Sequence, residues 1–167
     1  MAYRNKVYVS FDGDNDIHYY RLMQAWKQND NTPFSFYDAH DLNIALDSSS
    51  EETIKRRLRE RLRNSKVLVV LIGEQTRYLY RFVRWEIEQA LIMDLPIIGV
   101  NLNGLRYQDS NLCPPILRNE LAIYISFNAA IMQYSLENWP DLHQNLKYSG
   151  EKGPYYYKNE VYERVGI

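Results

Sequence analysis

Cysteine is nearly absent from this chain of 167 residues: Cys113 stands alone. One thiol excludes an intrachain disulfide and any cysteine-based zinc cluster, and it fits a reducing compartment. No apolar run approaches the roughly 20 residues that span a bilayer. The opening Met1-Ala2-Tyr3-Arg4-Asn5-Lys6 lacks the apolar stretch of a signal peptide. A cytoplasmic protein without a membrane partner is expected. Charge of one sign is missing too. The net charge is −1 and the pI about 6.3, so no global basic field exists to hold nucleic acid. GxGxxG, Walker A, HExxH and GxSxG signatures are all missing. So are internal repeats and low-complexity tracts.

What is present describes one globular domain. Apolar residues make up 46% and charged residues 25%, enough to build a core and too balanced for disorder. A single domain over residues 1–167 is expected, with its core over 5–130 and a C-terminal extension, 131–167, packed on it. Fifteen tyrosines serve packing and partly exposed surface, or alternatively a stacking surface for a planar ligand.

Apolar runs alternate with helical patterns. Val7 to Phe11 has the pattern of a buried strand, stopped by the turn cluster Asp12-Gly13-Asp14-Asn15. Tyr19, Leu22, Met23 and Trp26 follow at helical spacing. Phe34 to Tyr37 forms a second strand leading into Asp38, and Asp38 to Ser50 is a long polar loop. Ser48 to Glu52 resembles a capping box, and Ile54, Leu58 and Leu62 form the buried stripe of the next helix. The arginines of that helix suggest either nucleic-acid contact or a solvated face. Glu51, Glu52 and Glu60 dilute the charge and favour the face. Lys66 to Gly73 is a continuous Val/Leu/Ile strand of the kind buried on both sides in a parallel sheet. A helix over Tyr78 to Met93, a strand over Leu95 to Val100, a strand over Ala122 to Phe127 and a helix over Trp139 to Leu146 complete the pattern. The Tyr-rich tail 147–167 stays unassigned.

Strand–helix alternation predicts an α/β fold, a mostly parallel, doubly wound sheet with helices on both faces. Such sheets hold ligands beyond the carboxyl ends of their strands. The loops Asp12 to Asp16, Asp38 to Asn43 and Gly73 to Thr76 should meet there.

One side chain is out of place in this pattern. Val83, Ile87, Ala90 and Leu91 define the buried stripe of the 78–93 helix, and Glu86 falls at its edge. A carboxylate at an apolar margin has a raised pKa, which suits an acid that meets a ribose hydroxyl or a developing cation. The alternative is a border glutamate paired with Arg84, Arg81 or a tyrosine. Trp85 is turned away from the stripe and is free for solvent or a partner. Other chemistries are weaker. Cys113 with His18, His40 or His143 has no spacing that supports a thiol–imidazole pair. His40 with Asp38 and Asp41 offers metal ligands, but Asx turns explain the same residues. Asp12 to Asp16 lacks the later glutamate of a calcium loop.

Lys6 to Phe11, Phe36 to Ala39, Val69 to Thr76, Phe82 to Ile87 and Leu95 to Val100, in this order and spacing, resemble the TIR-like family, in particular its branch in the Thoeris antiphage system. The resemblance covers about residues 5–105. It implies a flavodoxin-like five-strand sheet and cleavage of NAD, as substrate with no resident cofactor, at the nicotinamide–ribose bond. It implies an NAD nucleosidase or ADP-ribosyl cyclase, a homo-oligomer, and a cyclic ADP-ribose signal that activates a separate effector. Glu86 takes the place of the catalytic carboxylate. Phe11, Asp12, Asp38, Phe82 and Arg84 take the places of walls and polar groups of the nucleotide cleft. Many relatives carry Trp where this chain has Phe82, which keeps the aromatic wall and loses the indole donor. Two other readings stand beside the enzyme. One is a non-enzymatic interaction module using the 38–50 loop and Trp85. The other is a domain that binds a nucleotide without cleaving it.

Overall fold

A computed structural model describes residues 6–28 and 50–167. In chain order these form β1 (Val7–Ser10), α1 (Ile17–Gln28), α2 (Glu51–Arg63), β2 (Val67–Ile72), a 3-10 turn (Thr76–Tyr78), α3 (Val83–Ile92), β3 (Ile97–Asn101), β4 (Ala122–Ser126), α4 (Ala129–Tyr148), β5 (Pro154–Tyr156) and α5 (Asn159–Arg164). The strands lie in one sheet in the order β1-β2-β3-β4-β5. Every pairing is parallel, so the expected α/β, flavodoxin-like architecture is present.

Period-two alternation along β2 splits the core into two layers. Val67, Val69 and Leu71 face one layer, shared with Tyr20 and Met23 of α1, with Leu136 and Trp139 of α4, and with Tyr162 of α5. Leu68, Val70 and Ile72 face the other, shared with Leu58 and Leu62 of α2 and with Val83, Ile87 and Ala90 of α3. All six β2 residues are buried, as a strand covered on both faces requires. Gly99 of β3 has no room for a side chain, because a Cβ there would lie 2.7 Å from the Tyr124 ring of β4.

Four elements depart from expectation. The expected strand Phe34–Tyr37 lies outside the described residues, and the tail, which carried no assignment, supplies a strand of the sheet. There β5 pairs with β4 through Ala122–Pro154, Ile123–Tyr155 and Tyr124–Tyr156. The segment expected as a packed extension therefore supplies both a strand and core side chains. The helix expected from Tyr78 starts only at Val83, because Leu79 leaves helical geometry at φ −89° and ψ 76°. The helix expected over Trp139 to Leu146 runs from Ala129 to Tyr148 with Pro140 inside it. A proline there costs one i→i−4 bond, and tertiary packing of Trp139 and Leu136 outweighs that loss. On α1 the buried pair is Tyr20 and Met23, whereas Leu22 is 48% exposed. Phe11 stacks on Tyr20 with centroids 4.6 Å apart and planes at 15°, and this stacking fixes the rotation of the helix.

The expected N-cap cluster of α2 resolves to Ser50, whose Oγ accepts from Thr53 N at 3.2 Å. Thr53 Oγ1, 2.8 Å from Ser50 Oγ, stands where a capping box would place a glutamate. Cys113 is buried against the Tyr124 hydroxyl at 3.4 Å. Burial pushes its thiol up, which makes it a packed thiol rather than a nucleophile.

Candidate functional site

β1 enters the sheet beside β2, with Val9 opposite Val69 and Ser10 opposite Val70. Alternation turns Tyr8 into the α2/α3 layer, and Ser10, two residues on, shares that face. From the other side, α3 lays Val83, Ile87 and Ala90 on the same layer. Glu86 lies on this stripe too, one turn from both Val83 and Ala90, and only 5% of it is exposed. Leu91, expected in the stripe, is only partly buried.

The Glu86 carboxylate is therefore inside the protein rather than at its margin. The Ser10 hydroxyl donates to Oε1 at 3.0 Å. The Tyr8 hydroxyl faces the same carboxylate in a looser arrangement, outside ordinary hydrogen-bond geometry. Burial dominates and pushes Glu86 up from 4.5 to about 7, while the Tyr8 and Ser10 hydroxyls hold it down. Burial and the neighbouring carboxylate together push the Tyr8 phenol well above its ordinary value. No ion pair reaches Glu86 among the described residues. Arg81 pairs instead with Glu51 at 3.3 Å, and the Arg84 guanidinium lies 5.7 Å from the Tyr80 ring centre. Of the alternative reading, a border glutamate paired with Arg84, Arg81 or a tyrosine, the arginine pairings do not form and the position is buried rather than at the border, while a tyrosine, Tyr8, does face the carboxylate.

A cleft of about 560 Å³ opens at the carboxyl end of β1, and Glu86 is not among the described residues that line it. Phe11, Asp12, Gly13 and Asp14 form one wall, and the segment from Tyr78 to Val83 forms the other. Glu86 stands one helical turn behind the second wall, its backbone N–H donating to the Phe82 carbonyl at 2.7 Å. Of the residues expected around the cleft, Phe11, Asp12 and Phe82 line it. Arg84 does not, being exposed and turned to Tyr80. Asp38 lies outside the described residues, as do His40 and Asp41. The Asp12 carboxylate is 2% exposed and committed to its own turn. Oδ1 accepts from the backbone N–H groups of Asp14 at 3.0 Å and Asn15 at 3.3 Å, and Oδ2 from the Asn15 amide at 2.7 Å. Its role here is to shape the loop.

Tyr8 and Ser10 were invisible as site residues in the sequence, where they are two members of a buried strand. The only hint was a hydroxyl on a strand covered on both sides, which must find a partner. Trp85, expected to be free, is half-buried beneath two cations of α2, Lys55 Nζ and the Arg59 guanidinium, each 5.4 Å from its ring centre. Among the described residues no three His, Cys, Asp or Glu side chains gather to hold a metal ion, and no helix is long and apolar enough to cross a membrane. The family model of the Thoeris protein ThsB, TIR-like domain, matches residues 8–107, which run from β1 past β3 and include Glu86.

Proposed function

The chain belongs to the TIR-like family of the Thoeris protein ThsB, and from that premise we propose a Thoeris defence enzyme that consumes NAD through Glu86. The observation that carries the proposal is a carboxylate 5% exposed, hydrogen-bonded by Ser10 and pushed to about 7, one helical turn after Phe82 and Val83, which line a cleft at the carboxyl end of β1. A buried, perturbed acid beside a cleft is costly to keep and is characteristic of sites that use it.

The bond to be broken joins the ribose C1′ to the nicotinamide nitrogen. Its electron pair leaves with nicotinamide, which departs neutral, and the ribosyl centre becomes oxocarbenium-like. Glu86, ionised as that positive charge develops, stabilises it and accepts hydrogen bonds from ribose hydroxyls. The Ser10 hydroxyl fixes Oε1, and Tyr8 backs the same group. Phe82 and Phe11 flank the cleft as aromatic walls. Attack on C1′ by a nucleophile of the adenosine half closes a cyclic ADP-ribose, and attack by water gives the linear product. Either route releases one proton. The cyclic product is the signal to a separate effector, NAD is substrate rather than cofactor, and the active unit is a homo-oligomer in the cytoplasm.

The test is NAD turnover by the purified protein and by lysates of phage-infected cells that express it, read by mass spectrometry beside Glu86→Gln. Nicotinamide and an ADP-ribose isomer are expected only with the wild type. Intact NAD in both proteins, infected or not, would overturn the enzyme and leave an interaction module.

A further inference from the structure

Among the described residues that line the cleft at the carboxyl end of β1, Arg81 is the one cation. The acids of the lining, Asp12 and Asp14, stand on the opposite wall, and Asp12 is tied to Asp14 N and the Asn15 amide. The neighbouring arginines are not part of the lining. Arg77 donates to the Asn111 carbonyl, and Arg84 lies over Tyr80. An anionic group entering this cleft therefore meets its positive charge at Arg81, on the wall that leads to Glu86.

Two contacts hold Arg81. Its guanidinium lies 5.8 Å from the ring centre of Phe82, an aromatic wall of the cleft. Its Nη2 donates to Glu51 Oε2 at 3.3 Å, a contact through one nitrogen. That ion pair is open to water, with the Arg81 side chain 71% exposed and that of Glu51 38%, so solvent and salt screen it. Glu51 is also compensated without Arg81. Its Oε1 pairs with Lys55 at 3.1 Å. As the first residue of α2, it sits where the positive end of the helix dipole favours a carboxylate. The pair with Arg81 is thus one that a better acceptor can break at small cost. A diphosphate is such an acceptor, because it carries two charges and matches the guanidinium fork with paired oxygens.

We propose that Arg81 is the diphosphate anchor of this cleft and that Glu51 is its resting partner, from which an ADP-ribose group draws the guanidinium onto its phosphates. The assignment rests on the reading of the chain as an NAD-consuming enzyme and adds the residue that sets affinity for the dinucleotide. The diphosphate is the same before and after the nicotinamide bond breaks. Arg81 therefore supplies uniform binding, which governs KM and leaves kcat to Glu86.

ADP-ribose is the probe, titrated calorimetrically into the full chain, with adenosine as the comparison that lacks phosphate. Arg81→Gln should weaken ADP-ribose about tenfold, the loss of one charge-assisted contact, and Arg81→Lys should recover part of the loss. Glu51→Gln keeps the Ser50 cap of α2 and should tighten ADP-ribose about threefold by removing the competitor, a gain that shrinks in salt. Adenosine should respond to none of the three. Steady-state NAD kinetics should show the same factors in KM at unchanged kcat. A pair that serves only the fold would make Glu51→Gln and Arg81→Gln both bind worse. That result, an unchanged ADP-ribose affinity in Arg81→Gln, or an equal loss for adenosine would overturn the anchor even where NAD is consumed. ADP-ribose binding that depends on Arg81 in a wild type that leaves NAD intact would support the anchor and overturn the enzyme instead.

Discussion

Replacing Glu86 with glutamine should yield a protein that is inactive yet more stable than its parent at neutral and alkaline pH. The folded Glu86 titrates near 7 rather than at 4.5 because burial penalises its charge. Between those values the unfolded chain has released the proton and the folded chain still holds it. The unfolded state then binds fewer protons, so stability falls as pH rises, and the fall is complete once pH passes the folded value. The displacement from 4.5 to about 7 corresponds to about 3 kcal/mol between acid and alkaline limits. Glutamine does not titrate, keeps the oxygen that accepts from Ser10, and presents its amide to the Tyr8 hydroxyl. Urea unfolding of both proteins from pH 4 to 9 isolates this one group, since every other titration cancels in the difference. The two curves should lie closest near pH 4.5 and diverge to about 3 kcal/mol in favour of glutamine above pH 8. For a chain of this length that is a gain of about 6 to 12 °C in Tm. NAD turnover by the variant should be nil throughout. A stability difference that stays flat with pH, or that favours the wild type at alkaline pH, would refute the reasoning that burial, unrelieved by a counter-ion, sets the state of Glu86.

Ser10→Ala removes the hydrogen bond that holds Glu86 down, so the acidic limb of the kcat/KM profile should move up by about one pH unit. An unmoved limb would separate Ser10 from the chemistry. Gly99→Ala drives a methyl into the Tyr124 ring at 2.7 Å and should cost about 1–3 kcal/mol by urea midpoint, the usual penalty of overpacking. A wild-type midpoint would contradict the packing described between β3 and β4. Asn128→Ala removes the cap whose Oδ1 accepts from Ala130 and Ile131. It should cost about 1 kcal/mol and speed hydrogen exchange at those two amides first; unchanged exchange there would refute the capping role.

The amino-acid sequence by itself determined the elements whose signals are local. The Val/Leu/Ile run of β2 had to be buried on both faces, because nothing in it can face water. That burial implied a parallel sheet with helices on either side. The stripe of Leu58 and Leu62 and the acidic start of α2 were equally plain, since spacing and dipole act within one helix. Glu86 was legible as an anomaly for the same reason: a carboxylate at the edge of an apolar stripe is visible from 3.6-residue periodicity alone, though its full burial was not.

Tertiary structure decided the rest, because the deciding contacts join distant residues. β5 is three residues long, with Tyr156 63% exposed, and only its pairing with β4 makes it a strand. α4 reads as a short helix over Trp139 to Leu146, and its ten residues before Trp139 emerge only once the packing of Leu136 and Trp139 is included. The rotation of α1 was settled by Phe11 against Tyr20, not by the stripe of Leu22. Whether Glu86 was a salt-bridged border residue or a buried acid depended on Ser10, 76 residues earlier in the chain. Periodicity records which face a side chain occupies. It carries no information about which partner waits on the far side of that face, and for Glu86 the partners are two hydroxyls rather than an arginine. That difference lets a raised pKa survive.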